Sequence, residues 1–91
     1  MAELPALVHV SVVAVDHRVF TGDVKMVVAT TTEGELGVLP GHAPLLGQLI
    51  DGTDIRLTTD AGEQVFTDVR GGYISVTDEG VSIPLESVEA P

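Results

Sequence analysis

Apolar and polar residues alternate along most of the chain. Val8, Val10, Val12 and Ala14 share one side of an extended segment, with His9, Ser11, Val13 and Val15 on the other. The same period of two recurs in Val24-Met26-Val28, Ile55-Leu57, Val65-Thr67-Val69, Ile74-Val76 and Val81-Ile83-Leu85. Every periodic segment therefore predicts a strand. Turn signals separate them at Thr21-Gly22, Asp51-Gly52, Asp60-Ala61-Gly62, Gly71-Gly72 and Asp78-Glu79-Gly80. Their spacing of roughly ten residues predicts an all-β sandwich or barrel.

Pro84 lacks a ladder donor and interrupts the last alternation on the face opposite Ile83 and Leu85, which predicts an edge strand. Glu86 to Pro91 reads as a polar tail, and no linker divides residues 1–91, so a single all-β unit is expected. Two strands carry apolar residues on both faces, Val13 with Val15 and Val27 with Ala29. Either the fold closes around them or a partner protein covers their outer side.

Composition narrows the function. Fourteen acids against four bases give a formal charge of −10, which repels phosphate backbones and anionic lipid. Only Phe20, Phe66 and Tyr73 are aromatic, too few for a base-stacking or sugar-stacking surface. The zero cysteine count fits a reducing compartment. Met1 to Leu7 has no Lys or Arg to make the basic start of a secretory signal, and no apolar stretch approaches the roughly 18 residues of a membrane span. A cytoplasmic protein that meets membranes only through a partner is expected.

Catalytic chemistry has little support. His9, His17 and His42 show no metal-ligand spacing, and no cysteine is available to join them. His42, just after a predicted turn, is suited to bonding a backbone carbonyl or touching a partner. Ser11, Ser75, Ser82 and Ser87 lack a nucleophile elbow, and Gly71-Gly72 lacks the lysine and helix of a phosphate loop. That dipeptide instead predicts a tight hairpin or bulge with close backbone approach. No catalytic residue, metal or cofactor is assigned.

The run from Glu33 to Leu46, EGELGVLPGHAPLL, carries the strongest signal. Pro40 presets its own φ and Gly41 accepts a positive one, so the pair suits the centre of a type II turn. Gly34 and Gly37 flank Glu35 and Leu36, which suggests an outward carboxylate with Leu36, Val38 and Leu39 reaching back toward apolar neighbours. Glu33 and Glu35 read either as solvated acids or as docking groups for a basic partner.

This run closely resembles the signature of the epsilon subunit of F-type ATP synthases. Flanking segments match in kind and order: the opening strand to Val15-Asp16, the Val19-Phe20-Thr21-Gly22 corner, the Gly71-Gly72 step and the strand through Leu85. The resemblance implies an amino-terminal β-sandwich of two mainly antiparallel sheets, docked on the gamma shaft and on the polar loops of the membrane c-ring. It implies a noncatalytic coupling part of a proton-translocating complex at the cytoplasmic face of a bacterial membrane. Carried over by residue, the ring contacts fall on Glu33, Gly34, Glu35, His42, Ala43 and Pro44; Val13 and Val15 are candidates for the gamma side. Such sandwiches are usually followed by a helical hairpin that restrains hydrolysis and sometimes binds ATP; the sequence stops at Pro91, as a naturally short member or an isolated domain would, so neither property is assigned here. The rival reading is a free-standing acidic β-sandwich that binds a protein or small ligand.

Overall fold

The computed structural model describes residues 7–15 and 17–89. Expectations for Met1–Ala6, Asp16, Ala90 and Pro91 lie outside the described residues. The strands are β1 (Val8–Ala14), β2 (His17–Val24), β3 (Met26–Thr31), β4 (Gly34–Val38) and β5 (Leu45–Gln48), followed by β6 (Thr53–Thr59), β7 (Gly62–Arg70), β8 (Tyr73–Thr77), β9 (Gly80–Pro84) and β10 (Ser87–Glu89). They form two five-stranded sheets, in the orders β2-β1-β9-β8-β5 and β10-β7-β6-β3-β4. All pairings are antiparallel except β1 with β9. The expected sandwich of two mainly antiparallel sheets is what the chain forms.

Inner faces supply one core, in which Val10, Val12, Ile55, Leu57, Ile74 and Ile83 are fully buried. Each such side chain contributes about 1.5 to 3 kcal/mol by leaving water. Phe66 from the second sheet meets Phe20 from the first edge-on, with ring centroids 6.2 Å apart. Phe20 also explains a correction: Thr21-Gly22 is no turn but lies inside β2, opposite Ser11 and Val10. A Cβ on Gly22 would stand 3.2 Å from the Phe20 ring, so that glycine makes room for an aromatic ring.

Two alternations change phase. The chain passes from the first sheet to the second at Lys25, whose N–H donates to the Thr58 carbonyl at 2.7 Å. That bend turns Val27 and Ala29 into the core and leaves Met26 and Val28 half-buried on the outer side, the reverse of the expected row. In β7, Asp68 adopts φ 52°, and the three steps from Phe66 to Val69 are set against two on β6, from Ile55 to Thr53. This bulge sends Phe66 and Val69 inward together, so Thr67 is exposed and Val65 only half-buried. Arg70 donates to Asp68 at 2.8 Å, and this hydrogen bond with the neighbouring Asp68 charge raises the Arg70 pKa.

Strand β9 is central, not an edge. Pro84 is tolerated because it is the last residue of the strand: it lies beside Val13 of β1, while the ladder to β8 has already ended at Ser82. Gly71-Gly72 does not close a hairpin; it carries the chain from β7 in one sheet to β8 in the other. The expected close approach does occur, since a Cβ on Gly72 would run into the Leu85 side chain and stand 2.6 Å from the Pro84 carbonyl. Ser87–Glu89, expected as tail, forms β10 along β7.

Candidate functional site

Half of the run from Glu33 to Leu46 is strand. Glu33 sits in the tight β3–β4 turn, where the Thr31 hydroxyl accepts from the Glu33 N–H at 3.1 Å and donates to the Gly34 carbonyl at 2.9 Å. The same bonds recur in Thr59-Asp60-Ala61-Gly62 and Thr77-Asp78-Glu79-Gly80. In all three hairpins the closing glycine has positive φ, between 114° and 139°. Thr-x-x-Gly is thus this chain's hairpin device: a hydroxyl braces the turn and a glycine supplies the backbone bend.

From that turn β4 runs along the edge of the second sheet, with Glu35 outward, Leu36 half-buried and Val38 in the core. Leu39, expected to reach inward, is 56% exposed because the reversal begins there. Leu39 accepts from the His42 N–H at 3.1 Å across Pro40-Gly41, and Gly41 has φ 81°, as a type II turn requires. His42 is half-buried and its Nδ1 lies 2.7 Å from the Ala43 carbonyl, so the imidazole donates there and braces the loop. Ala43 and Pro44 are exposed, and β5 then returns along the edge of the first sheet.

The candidate ring-facing residues therefore form two groups rather than one patch. Glu33, Gly34 and Glu35 lie at one end of β4; His42, Ala43 and Pro44 lie past the other, roughly 14 Å of strand away. Both groups belong to one flank of the sandwich, because β4 and β5 are edge strands of their respective sheets. A Thr31–Leu49 bridge and a 3.0 Å bond from the Thr32 N–H to the Gln48 carbonyl close that flank at the Glu33 end.

Val13 and Val15 are 38% and 79% exposed, so this chain does not itself cover them. Register extends their surface across the first sheet. Outward positions on β1, β9, β8 and β5 are His9, Ser11 and Val13; Ser82 and Pro84; Tyr73, Ser75 and Thr77; Leu46 and Gln48. None of these is a carboxylate, in a chain of charge −10; the edge strand β2 of the same sheet adds Asp23, opposite His9 and bonded to it at 2.9 Å, and Arg18, opposite Val13. Leu46 is 73% exposed and Tyr73 48%. Nothing in the sequence around Leu46 or Tyr73 marks them as surface partners of Val13; only the β5–β8 pairing brings them onto its face. Among the described residues, no group of three or more His, Asp and Glu is placed to hold a metal ion.

Residues 7–91 match the family model described as the beta-sandwich domain of the ATP synthase delta/epsilon chain. The ATP synthase epsilon chain of Frankia casuarinae is 49% identical over 82 residues, covering 90% of this chain and 95% of that one. The epsilon chain of Rhodococcus opacus is 48% identical over 80 residues, covering 88% of this chain but 66% of that longer one. A chain in the Euglena gracilis mitochondrial ATP synthase OSCP/F1/c-ring structure superposes with a TM-score of 0.86 at 25% identity, covering 98% of this chain and 56% of its own length. A chain in the Tetrahymena thermophila mitochondrial central stalk/c-ring structure shares the fold, with a TM-score of 0.72 at 14% identity over 98% of this chain and 69% of that one.

Proposed function

This chain belongs to the ATP synthase delta/epsilon-chain β-sandwich family, and on that premise we propose that it is a noncatalytic epsilon subunit of the central stalk, coupling c-ring rotation to the gamma shaft and so to ATP synthesis. The observation that carries the mechanism is the outer surface of β1, β9, β8 and β5 in the first sheet, which bears no carboxylate, Asp23 of the edge strand β2 being bonded to His9. Removing Val13, Val15, Leu46 and Tyr73 from water rewards docking, and across those four strands no carboxylate has to be desolvated. That face is the gamma side.

Glu33, Gly34, Glu35, His42, Ala43 and Pro44 make the ring side. Their separation along one flank suits a broad, repetitive surface better than a single pocket. Exposed carboxylate pairs are worth only about 0 to 1 kcal/mol each, so stiffness must supply much of the grip. Pro40, the bonded His42 ring and the Thr31 brace provide that stiffness. No described helix is long and apolar enough to cross a membrane; in this reading the chain sits at the cytoplasmic face of a bacterial membrane, held there by its partners. The shared core of the two sheets supports treating residues 1–91 as one unit.

Capture experiments test this directly. The purified chain should retain both a gamma subunit and a c-ring, and Glu35→Ala should weaken ring capture alone. Failure of a demonstrably folded chain to hold either partner would instead support a free-standing binding module.

A further inference from the structure

A cleft of about 460 Å³ opens at the end of the sandwich where the Leu39–Pro44 reversal faces the β8–β9 hairpin. Its floor is apolar and drawn from both sheets: Val8, Val76 and Val81 from the first, Val38 from the second, all buried. Leu39, Pro40 and Pro44 wall one side. Asp78 and Glu79 stand on the other, at the tip of a Thr-x-x-Gly hairpin whose Thr77 hydroxyl accepts from the Glu79 N–H at 3.2 Å. That hairpin is seated tightly, since a Cβ on Gly80 would come within 2.5 Å of the His9 carbonyl.

The rim is electrostatically one-sided. Asp23 is engaged with His9, Oδ1 to Nδ1 at 2.9 Å, and His42 with the Ala43 carbonyl. The Asp78 and Glu79 carboxylates make no ion pair among the described residues. No lysine or arginine lines the cleft; Lys25 and Arg70 are paired elsewhere, with Asp60 and Asp68. A small anion would be repelled here, and a bare cation has no use for an apolar floor. One side-chain type uses both features, a long alkyl stem ending in a positive charge.

We propose that the cleft receives a lysine or arginine side chain from a loop of a partner protein. The stem lies over Val38, Val76 and Val81, and the charged head reaches Asp78 and Glu79. This contact lies beyond Glu33 and Glu35, next to the His42 group. For the partner's identity, a loop of the c-ring, it rests on the central-stalk reading; for its chemistry it does not.

The test titrates the full chain, followed by amide NMR, with the peptide acetyl-Leu-Arg-Leu-amide and with its glutamine counterpart. The arginine peptide should shift the amides of Leu39, His42, Thr77 and Gly80, and the glutamine peptide should not. Asp78→Asn with Glu79→Gln should weaken binding about two- to fivefold per carboxylate removed, and added salt should weaken it further. Equal response to both peptides, shifts confined to another surface, no shift at millimolar peptide, or an unaffected double variant would each overturn the proposal. Capture of the c-ring by that variant separates the two readings. Reduced capture supports the ring as the source of the side chain, and normal capture overturns that assignment while leaving the gamma and ring reading intact. Peptide binding by a chain that captures neither partner would sink the central-stalk reading and leave the cleft's chemistry standing.

Discussion

The outer face of the first sheet and the turns at the ends of the sandwich are both exposed, yet chemically opposite. Across β1, β9, β8 and β5 the face offers Ser, Thr, Val, Leu, Tyr, Pro, Gln and one His without a carboxylate, and the edge strand β2 adds Arg18 and the Asp23 bonded to His9. Glu33, Asp60, Asp78 and Glu79 sit instead in Thr-x-x-Gly turns. The difference shows how a chain of charge −10 can still dock. In the proposed stalk reading, unpaired carboxylates are kept off the surface that must lose its water and placed where partial solvation persists. On that reading the face holds through area, and the turns steer and position.

Substitutions can break this contrast in order of expected size. Leu46→Asp, opposite Ser75 with no basic residue beside it in the register, puts a carboxylate on the uncharged face; it should leave thermal stability nearly unchanged and weaken gamma capture on the order of a hundredfold, the penalty of burying one unpaired charge at about 3 kcal/mol. Next, Gly72→Ala should destabilise the fold by about 1 to 3 kcal/mol in denaturant titration, because the added methyl meets Leu85 and the Pro84 carbonyl. Thr31→Val keeps the shape of a 5% exposed side chain but removes both turn hydrogen bonds; about 1 kcal/mol should be lost. Smallest is Glu35→Ala, which should weaken ring capture by about 0 to 1 kcal/mol, less at high salt, with no change in melting temperature. If Glu35→Ala proved costlier than Leu46→Asp, the division of labour between face and turns would be wrong.

Alternation made the strands legible, and Asp-x-Gly signals located the β6–β7 and β8–β9 turns. Pairing partners were not legible, because which strand lies beside which depends on contacts far apart in sequence. Hence Pro84 reads as an edge residue although β9 is central, its missing donor lying beyond the end of the β8 ladder. The sheet switch at Lys25 and the bulge at Asp68 each shift the alternation by one position, and neither Val24-Lys25-Met26 nor Thr67-Asp68-Val69 announces a break. Thr31–Gly34 carries the same hairpin pattern as the other two turns, but Glu33, Gly34 and Glu35 with Gly37 read first as a display loop. At the candidate site, Val13 and Val15 were visible as apolar residues without an inner place. Leu46 and Tyr73 join them only through the β5–β8 register.

Hydrogen–deuterium exchange of the chain, free and then bound within an assembled gamma and c-ring complex, tests the two-surface account most directly. The account predicts new protection in β1 and β5 and in residues 33–35 and 42–44, with the outer side of the second sheet around β6 and β7 unchanged. Protection concentrated on β6 and β7, with β1 and β5 exchanging as in the free chain, would contradict it.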